Sequence, residues 1–319
     1  MAEDVEDGGP VWDLLAPHAS ATFGEVYPLR LLGAVHRLVL AGDAPELLHH
    51  YPTTEGDGDV AAMWAPFRSL LAERGEQLRP AFARPPQTNE VGRSVPLLAG
   101  LLVLSQATAL PVWLLEIGAS AGLNLLLDRY YYAQDGFAWG DETSTVRFDD
   151  LWHDGHPPLA HRPVVVERRG CDRDPIDVTN ATARLELMSY VWPGQARRFE
   201  LLRDALELAA QSPPPLDCAD ITDWLPGQLK ERHPGSVTVV FHSIVWQYLS
   251  DEERDRIEHV IHVAGERATS DAPVAWLRLE PPPEMFPAEL RLQIWPGGQD
   301  RLLAHGDFQL GPLRWLAEQ

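Results

Sequence analysis

The sequence predicts an α/β protein: a mostly parallel sheet closed by an antiparallel C-terminal hairpin, preceded by a helical cap. Three observations carry that expectation. From about residue 96, short unbroken apolar runs alternate with helix-patterned stretches, as parallel strands covered on both faces require. Residues 1–95 show helical spacing and no strand-like run. The tail from Glu289 holds strand candidates with no helix between them. The expected division is therefore 1–95 for the cap and 96–319 for the α/β domain, with an insertion at 133–162.

The elements follow in order. "LRLLGAVHRLVLAG" (Leu29–Gly42) and "VAAMWAPFRSLLAERGEQL" (Val60–Leu78) have apolar residues at helical intervals, with "YPTTEGDGD" as the turn between them and "RPPQTNE" ending the region. Val95 to Leu115 is apolar over about a membrane-spanning length but contains Ser105, Gln106 and Pro111, so it reads as a buried helix and then a buried strand. "VWLLEI" (112–117) is the first strand, followed by a glycine turn and a helix. After the polar insertion come "PVVVERRGCD" (163–172), helices near 180–191 and 196–210, and the short "PLDCAD" (215–220). "SVTVVFH" (236–242) leads to a helix that Ser250 caps, with Glu253 three residues on. "APVAWLRLE" (272–280) is the last buried run; "ELRLQIW", the "PGGQD" turn and "RLLAHGDFQLGPLRWL" should form the closing hairpin.

Composition narrows the classes. Of 319 residues 45% are hydrophobic and 23% charged, a globular balance. The net charge of −21 argues against a grip on nucleic-acid phosphates and leaves a small molecule as the expected partner. Two distant cysteines, Cys171 and Cys218, suit a reducing compartment and exclude a cysteine-built zinc site. "MAEDVEDGGP" is acidic, unlike a secretory leader, so the expectation is cytoplasmic with no membrane segment. Oligomeric state is left open.

"LLEIGASAGLNLLLDRYYY" (114–132) fits two chemistries. As a nucleophile elbow, G-x-S-x-G would present Ser120, with Asp220 and His242 or His305 completing the chain order of a serine hydrolase. The preceding 110 residues, however, look helical and offer no oxyanion loop, and Glu116 would be a buried carboxylate without a partner. As a nucleotide-binding turn, each residue has a use. Gly118 permits the tight turn, Gly122 lets the chain pack where the helix begins, and the helix start offers bare amides. Glu116 can accept from an ammonium, and Ser120 can donate to a carboxylate. A ligand with both groups beside a nucleoside is S-adenosylmethionine.

With "PQTNEVGRS" (86–94), "RRGCDRDPID" (168–177), "VWPGQARRFELLRDALELA" (191–209) and "VTVVFHSIVWQYLSDEER" (237–254), the chain resembles a bacterial family catalogued as a domain of unknown function (number 2332). That family is similar to the class I S-adenosylmethionine-dependent methyltransferases. The resemblance implies a Rossmann-like methyltransferase sheet and methyl transfer to a small-molecule acceptor, with the helical cap forming much of the acceptor pocket. By position it implies cofactor contacts from Asn89, Glu116, Gly118, Ala119, Ser120, Gly122 and Asn124 around the first loop. Asp172 would hold the ribose, with Asp174 or Asp177 as alternatives, because some 50 residues rather than about 20 separate it from that loop. Asp220 and Ile221 would face adenine, and His242 would sit beside the methyl.

Methyl transfer needs alignment of acceptor, methyl and sulfur, and a base only where the acceptor holds its proton tightly. His242 is the candidate base, against the plain reading of a core histidine. Glu90 and Arg93 are candidates at the cofactor or the substrate, against a capping residue and a surface ion pair. Tyr130, Trp246 and Tyr248 are candidate walls of the acceptor site, against aromatic core; Asp128 and Arg129 read as a solvated helix end. His153, Asp154, His156 and His161 lie in a Pro/Gly-rich insertion with no helix to set a geometry, so no metal is expected; His49-His50 ends a cap helix and is weaker still. A third possibility is a relative that binds the cofactor without catalysis.

Overall fold

A computed structural model describes the chain apart from residues 22–25, 84, 283–286, 308, 310 and 318–319, so Arg84 of "RPPQTNE" and Phe308 and Leu310 of the tail lie outside the described residues. Two compact units result: 1–88 with 179–203, and 89–178 with 204–319. The division falls after Thr88 rather than after residue 95, and it assigns a later segment to the helical unit. Among the described residues no helix is long and apolar enough to cross a membrane.

In the helical unit, Tyr27–Leu40 buries Leu31, Ala34, Val35, Leu38 and Val39, one stripe at helical spacing. Val60–Leu78 starts where the Asp59 carboxylate accepts from the amides of Ala61 and Ala62. Phe67, Leu70 and Leu71 on that helix meet the first stripe in one core. The later segment joins for a local reason. Helix Ala181–Ser189 packs on Tyr27–Leu40, and Gly33 is the point of closest approach: a Cβ there would stand 2.7 Å from the Tyr190 ring.

Among the described residues all twelve strands lie in the sheet unit: β1 (Val112–Ile117), β2 (Tyr131–Gln134), β3 (Phe137–Gly140), β4 (Arg147–Phe148), β5 (Trp152–His153) and β6 (Val165–Asp172). They continue as β7 (Leu216–Cys218), β8 (Val237–Ser243), β9 (Val274–Glu280), β10 (Ala288–Trp295), β11 (Asp300–Gly306) and β12 (Leu313–Trp315). The order in the main sheet is β5-β12-β11-β10-β9-β8-β1-β6-β7. The pairs from β7 across to β9 are parallel, whereas β9–β10, β10–β11 and β11–β12 are antiparallel. The expected hairpin is present, but β12 and β5 lie beyond it, so it does not form the sheet's edge.

Every residue of β1 and β8 is buried, which is why both read as unbroken apolar runs. Side chains alternate across the sheet. Trp113, Leu115, Ile117 and Trp276 pack in one core with Ile257 and Ile261 of helix Asp251–Glu266. Leu277 points the other way, and there Gly100 of helix Ser94–Ala107 comes close enough that a Cβ would stand 2.3 Å from it. Ser94–Ser105 is buried throughout. Helices therefore cover both faces. The Ser250 and Glu253 capping box is complete, with each side chain bonded to the other's amide.

Two local expectations need correction. The glycine turn does not open an α-helix; Leu123–Arg129 is a 3-10 helix that ends directly before β2. The insertion is not merely a polar linker. With Tyr131 and Tyr132 leading in, it folds as the three-stranded sheet β3-β2-β4, and its β5 pairs with β12.

Candidate functional site at the carboxyl ends of the central strands

The chain runs from β1 outward to β6 and β7, then returns to β8 on the other side of β1. Between β1 and β8 the winding reverses, and ligands of open α/β sheets bind outside the carboxyl ends at such a point. Two loops meet there. Loop 118–122 holds three residues with left-handed backbone, Gly118 (φ 67°), Ser120 (φ 53°) and Gly122 (φ 69°). Loop 243–246 holds Ile244 at φ 56°, a conformation that a β-branched residue rarely adopts. The loops touch: a Cβ on Gly118 would stand 2.6 Å from Val245, so only glycine fits. Arg93 ties the second loop down, donating from Nη1 to the Ser243 carbonyl at 3.0 Å.

Glu116 ends β1 beneath these loops and is 2% exposed. Its Oε2 has no hydrogen-bond partner among the described residues, and neither does Oδ1 of Asn124, 1% exposed in the first turn of the 3-10 helix. Burial pushes the Glu116 carboxyl well above its ordinary range, and the nearby Asp172 charge adds to this; the Arg93 charge and the Leu125 amide oppose it. Orphaned buried polar atoms cost about 1–3 kcal/mol each, so native proteins keep few of them. Of six such atoms among the described residues, these two are the ones that flank the left-handed turn, within nine residues of each other.

The amides of the turn do not behave as expected. Ala119 donates to the Cys171 carbonyl (3.0 Å), Gly122 to the Ala119 carbonyl (2.7 Å) and Leu125 to the Gly122 carbonyl (3.1 Å). Ser120 donates to Asp172 Oδ2 (2.9 Å) and Leu123 to Asn89 Oδ1 (3.0 Å). These five are therefore not bare donors. The tighter 3-10 turn and two side-chain acceptors satisfy them instead.

His242 is corrected too. It is 0% exposed, and both ring nitrogens are engaged: Nδ1 lies 2.6 Å from Glu280 Oε1, and Nε2 lies 3.1 Å from Trp276 Nε1. An indole N–H only donates, so Nε2 must accept and Nδ1 must carry the proton. The Trp246 ring stacks on the imidazole with centroids 4.4 Å apart. Such a histidine holds structure, with neither ring nitrogen left open to a substrate. Glu280 was not anticipated. From the end of β9 it also accepts from the amides of Val245 (2.9 Å) and Trp246 (3.3 Å), and so shapes the strained loop. The available signal was an acid near the carboxyl end of a mostly apolar strand, the same signal that singled out Glu116.

The serine-hydrolase reading fails on the same geometry. His242 is engaged elsewhere, and His305 sits on β11, four strands from β1 and so about 19 Å away at the usual strand spacing. Asp220 caps helix Ile221–Gln228 through the Thr222 amide (2.8 Å) and pairs with Arg173.

The remaining candidates divide. Asn89 and Glu90 are buried, and Glu90 accepts from the Gly92 amide at 3.0 Å, so the surface-pair reading of Glu90 and Arg93 fails. Asp172 reaches both loop 118–122 and the Asp174 amide (3.0 Å) from the end of β6, whereas Asp174 and Asp177 are exposed. Ile221 is buried in the helix core. Tyr130 is fully buried and donates to the Leu123 carbonyl at 2.6 Å, bracing the turn from behind rather than walling a pocket. Asp128 is no solvated helix end; it pairs with Arg168. Tyr248 is 71% exposed. Among the described residues no group of three or more His, Cys, Asp or Glu is arranged to hold a metal ion.

No protein of curated description matches the chain. One solved structure similar to it, described as "DhpI-SAM-HEP complex", is 11% identical over 81% of this chain and 84% of that one, with a TM-score of 0.23. A family profile matches residues 1–315. The chain belongs to the family described as uncharacterized protein conserved in bacteria (DUF2332).

Proposed function

We propose that the sheet unit binds S-adenosylmethionine at the β1/β8 reversal and serves methyl transfer to a small-molecule acceptor. The carrying observation is the pair of buried orphan atoms, Glu116 Oε2 and Asn124 Oδ1, beside the Gly118–Gly122 turn. Both are acceptors, and an ammonium supplies donors only, so the chemistry fits the amino-acid end of that cofactor. Asp172, at the end of the neighbouring strand, is the acid this reading assigns to the ribose hydroxyls. The surplus of acidic residues supports a small acceptor over a nucleic acid.

When bound, the cofactor supplies an electrophilic methyl group. The chain's own residues bind and orient. Arg93 and Glu280 fix loop 243–246, and Glu280 also locks the His242 tautomer. With both His242 nitrogens engaged within the fold, the reading is catalysis by positioning rather than by a base there. The same fact favours, as second reading, a protein that binds the cofactor without turning it over.

The test compares thermal shifts with S-adenosylmethionine, S-adenosylhomocysteine and methylthioadenosine, which lacks the amino-acid end. At 100 times its dissociation constant a ligand specific to the folded state adds about 2.7 kcal/mol. The first two should stabilise and the third should do so far less; no shift with any of them contradicts the proposal. Consumption of methyl donor with an acceptor panel then separates the two readings.

A further inference from the structure

The helical unit encloses a cavity of about 410 Å³ that the proposed cofactor site does not use. Nineteen of the described residues line it, all from 1–88 and 179–203. None is Asp, Glu, Lys or Arg. In a chain 23% charged, a surface of that size chosen at random would carry about four. The walls are Leu32, Tyr51, Trp64, Phe67, Val191 and Trp192.

Besides Met1, the titratable residues at the wall are His36, His50, Tyr51 and Tyr190, and burial pushes both tyrosine hydroxyls up. His36 is buried with Nδ1 on the Ser189 carbonyl (2.9 Å) and Nε2 on Thr53 Oγ1 (2.8 Å), and burial lowers its pKa to about 4. His50 faces Asp57 at 3.1 Å, and that carboxylate is largely exposed rather than part of the lining. The entrance is apolar as well: Val60 and Trp192 line the cavity while remaining 70% and 43% exposed. An ion entering here would lose its hydration and meet no Asp, Glu, Lys or Arg side chain in the lining.

We propose that this cavity is a binding site for a neutral, largely apolar small molecule of two or three fused rings, or an aliphatic chain of equal bulk. Ligand pockets run from about 300 to 1,000 Å³, and an apolar cavity of about 150 Å³ accommodates benzene. The proposal does not rest on the cofactor reading, since no lining residue belongs to the sheet unit.

The test titrates the full chain with N-phenyl-1-naphthylamine, a neutral dye that brightens in apolar sites. Expected are saturable one-to-one binding, displacement by naphthalene or decanol, and little displacement by naphthoate or decylammonium. Gly194 lines the cavity and a Cβ there meets nothing within 4 Å, so Gly194→Trp should narrow the cavity without a clash at Cβ. Dye affinity should fall at least tenfold with an unchanged Tm. Val60→Trp, at the exposed rim, should do the same should Gly194→Trp fold poorly. Gly227→Trp, equally open but in the sheet unit, should bind as the parent does. Unsaturable binding, equal displacement by the charged analogues, or full affinity in both folded filling variants would overturn the proposal.

Discussion

His36 in the helical unit and Glu116 in the sheet unit are both buried titratable side chains, yet they stand in opposite conditions. Both nitrogens of His36 have partners, and burial keeps the ring neutral. Glu116 keeps one oxygen unpartnered, and burial, with the Asp172 charge, shifts its carboxyl toward the protonated form. His242, a few residues from Glu116 in space through the β1–β8 pairing, resembles His36 in being fully satisfied. A buried polar group with all its bonds made is architecture. Glu116, left one bond short, is kept despite its cost, and on the proposed reading a ligand is the reason.

The contrast predicts unequal outcomes when each kind of group is altered. Glu280→Leu strips three donors, His242 Nδ1 and the amides of Val245 and Trp246, of their acceptor. Urea unfolding should show a loss of about 3–5 kcal/mol. A loss below 1 kcal/mol would place Glu280 with Glu116 and break the distinction.

The His36 effect is next. Its folded pKa of about 4 lies below the ordinary 6.5, so between those values the unfolded chain holds more protons than the folded one. Stability should therefore be full above pH 6.5 and fall as pH drops toward 4, by about 3 kcal/mol from this group. His36→Gln should flatten that part of the profile measured by urea titration at each pH; an unchanged slope would assign the loss elsewhere.

The smallest effect has the opposite sign. Glu116 has a raised folded pKa, so the folded chain holds the extra proton, and the contribution present below 4.5 is lost as pH rises. Glu116→Gln should leave the unliganded protein as stable as the parent or about 1 kcal/mol more stable, with the gap widening as pH climbs above the ordinary carboxylate range. Thermal melts at pH 5 and pH 8 check this. A destabilised variant would mean that Glu116 is already satisfied.

The sheet was legible because its signals are local. The unbroken runs at 112–117 and 236–242 need burial on both faces, and the Ser250–Glu253 cap is a four-residue pattern. The return of 179–203 to the helical unit was not legible, since it depends on Gly33 accepting the Tyr190 ring 157 positions later. The same limit explains the site. Glu116 and the turn glycines stand in one short stretch and could be read directly. That Trp276 and Glu280 fix the tautomer of His242 depends on the β8–β9 register, which no spacing in the chain displays. A histidine at the carboxyl end of a strand looks like a base until its neighbours are placed.

The most direct test of the central claim is a calorimetric titration of S-adenosylmethionine into the parent and into Glu116→Gln, each in two buffers of different ionisation enthalpy. The account predicts that the parent binds with release of a proton, as the incoming ammonium draws Glu116 into its charged form, and with affinity that rises with pH. The glutamine variant should bind at least tenfold more weakly and release none. Equal affinity in both proteins with no proton release, or no binding to a folded parent, would contradict it.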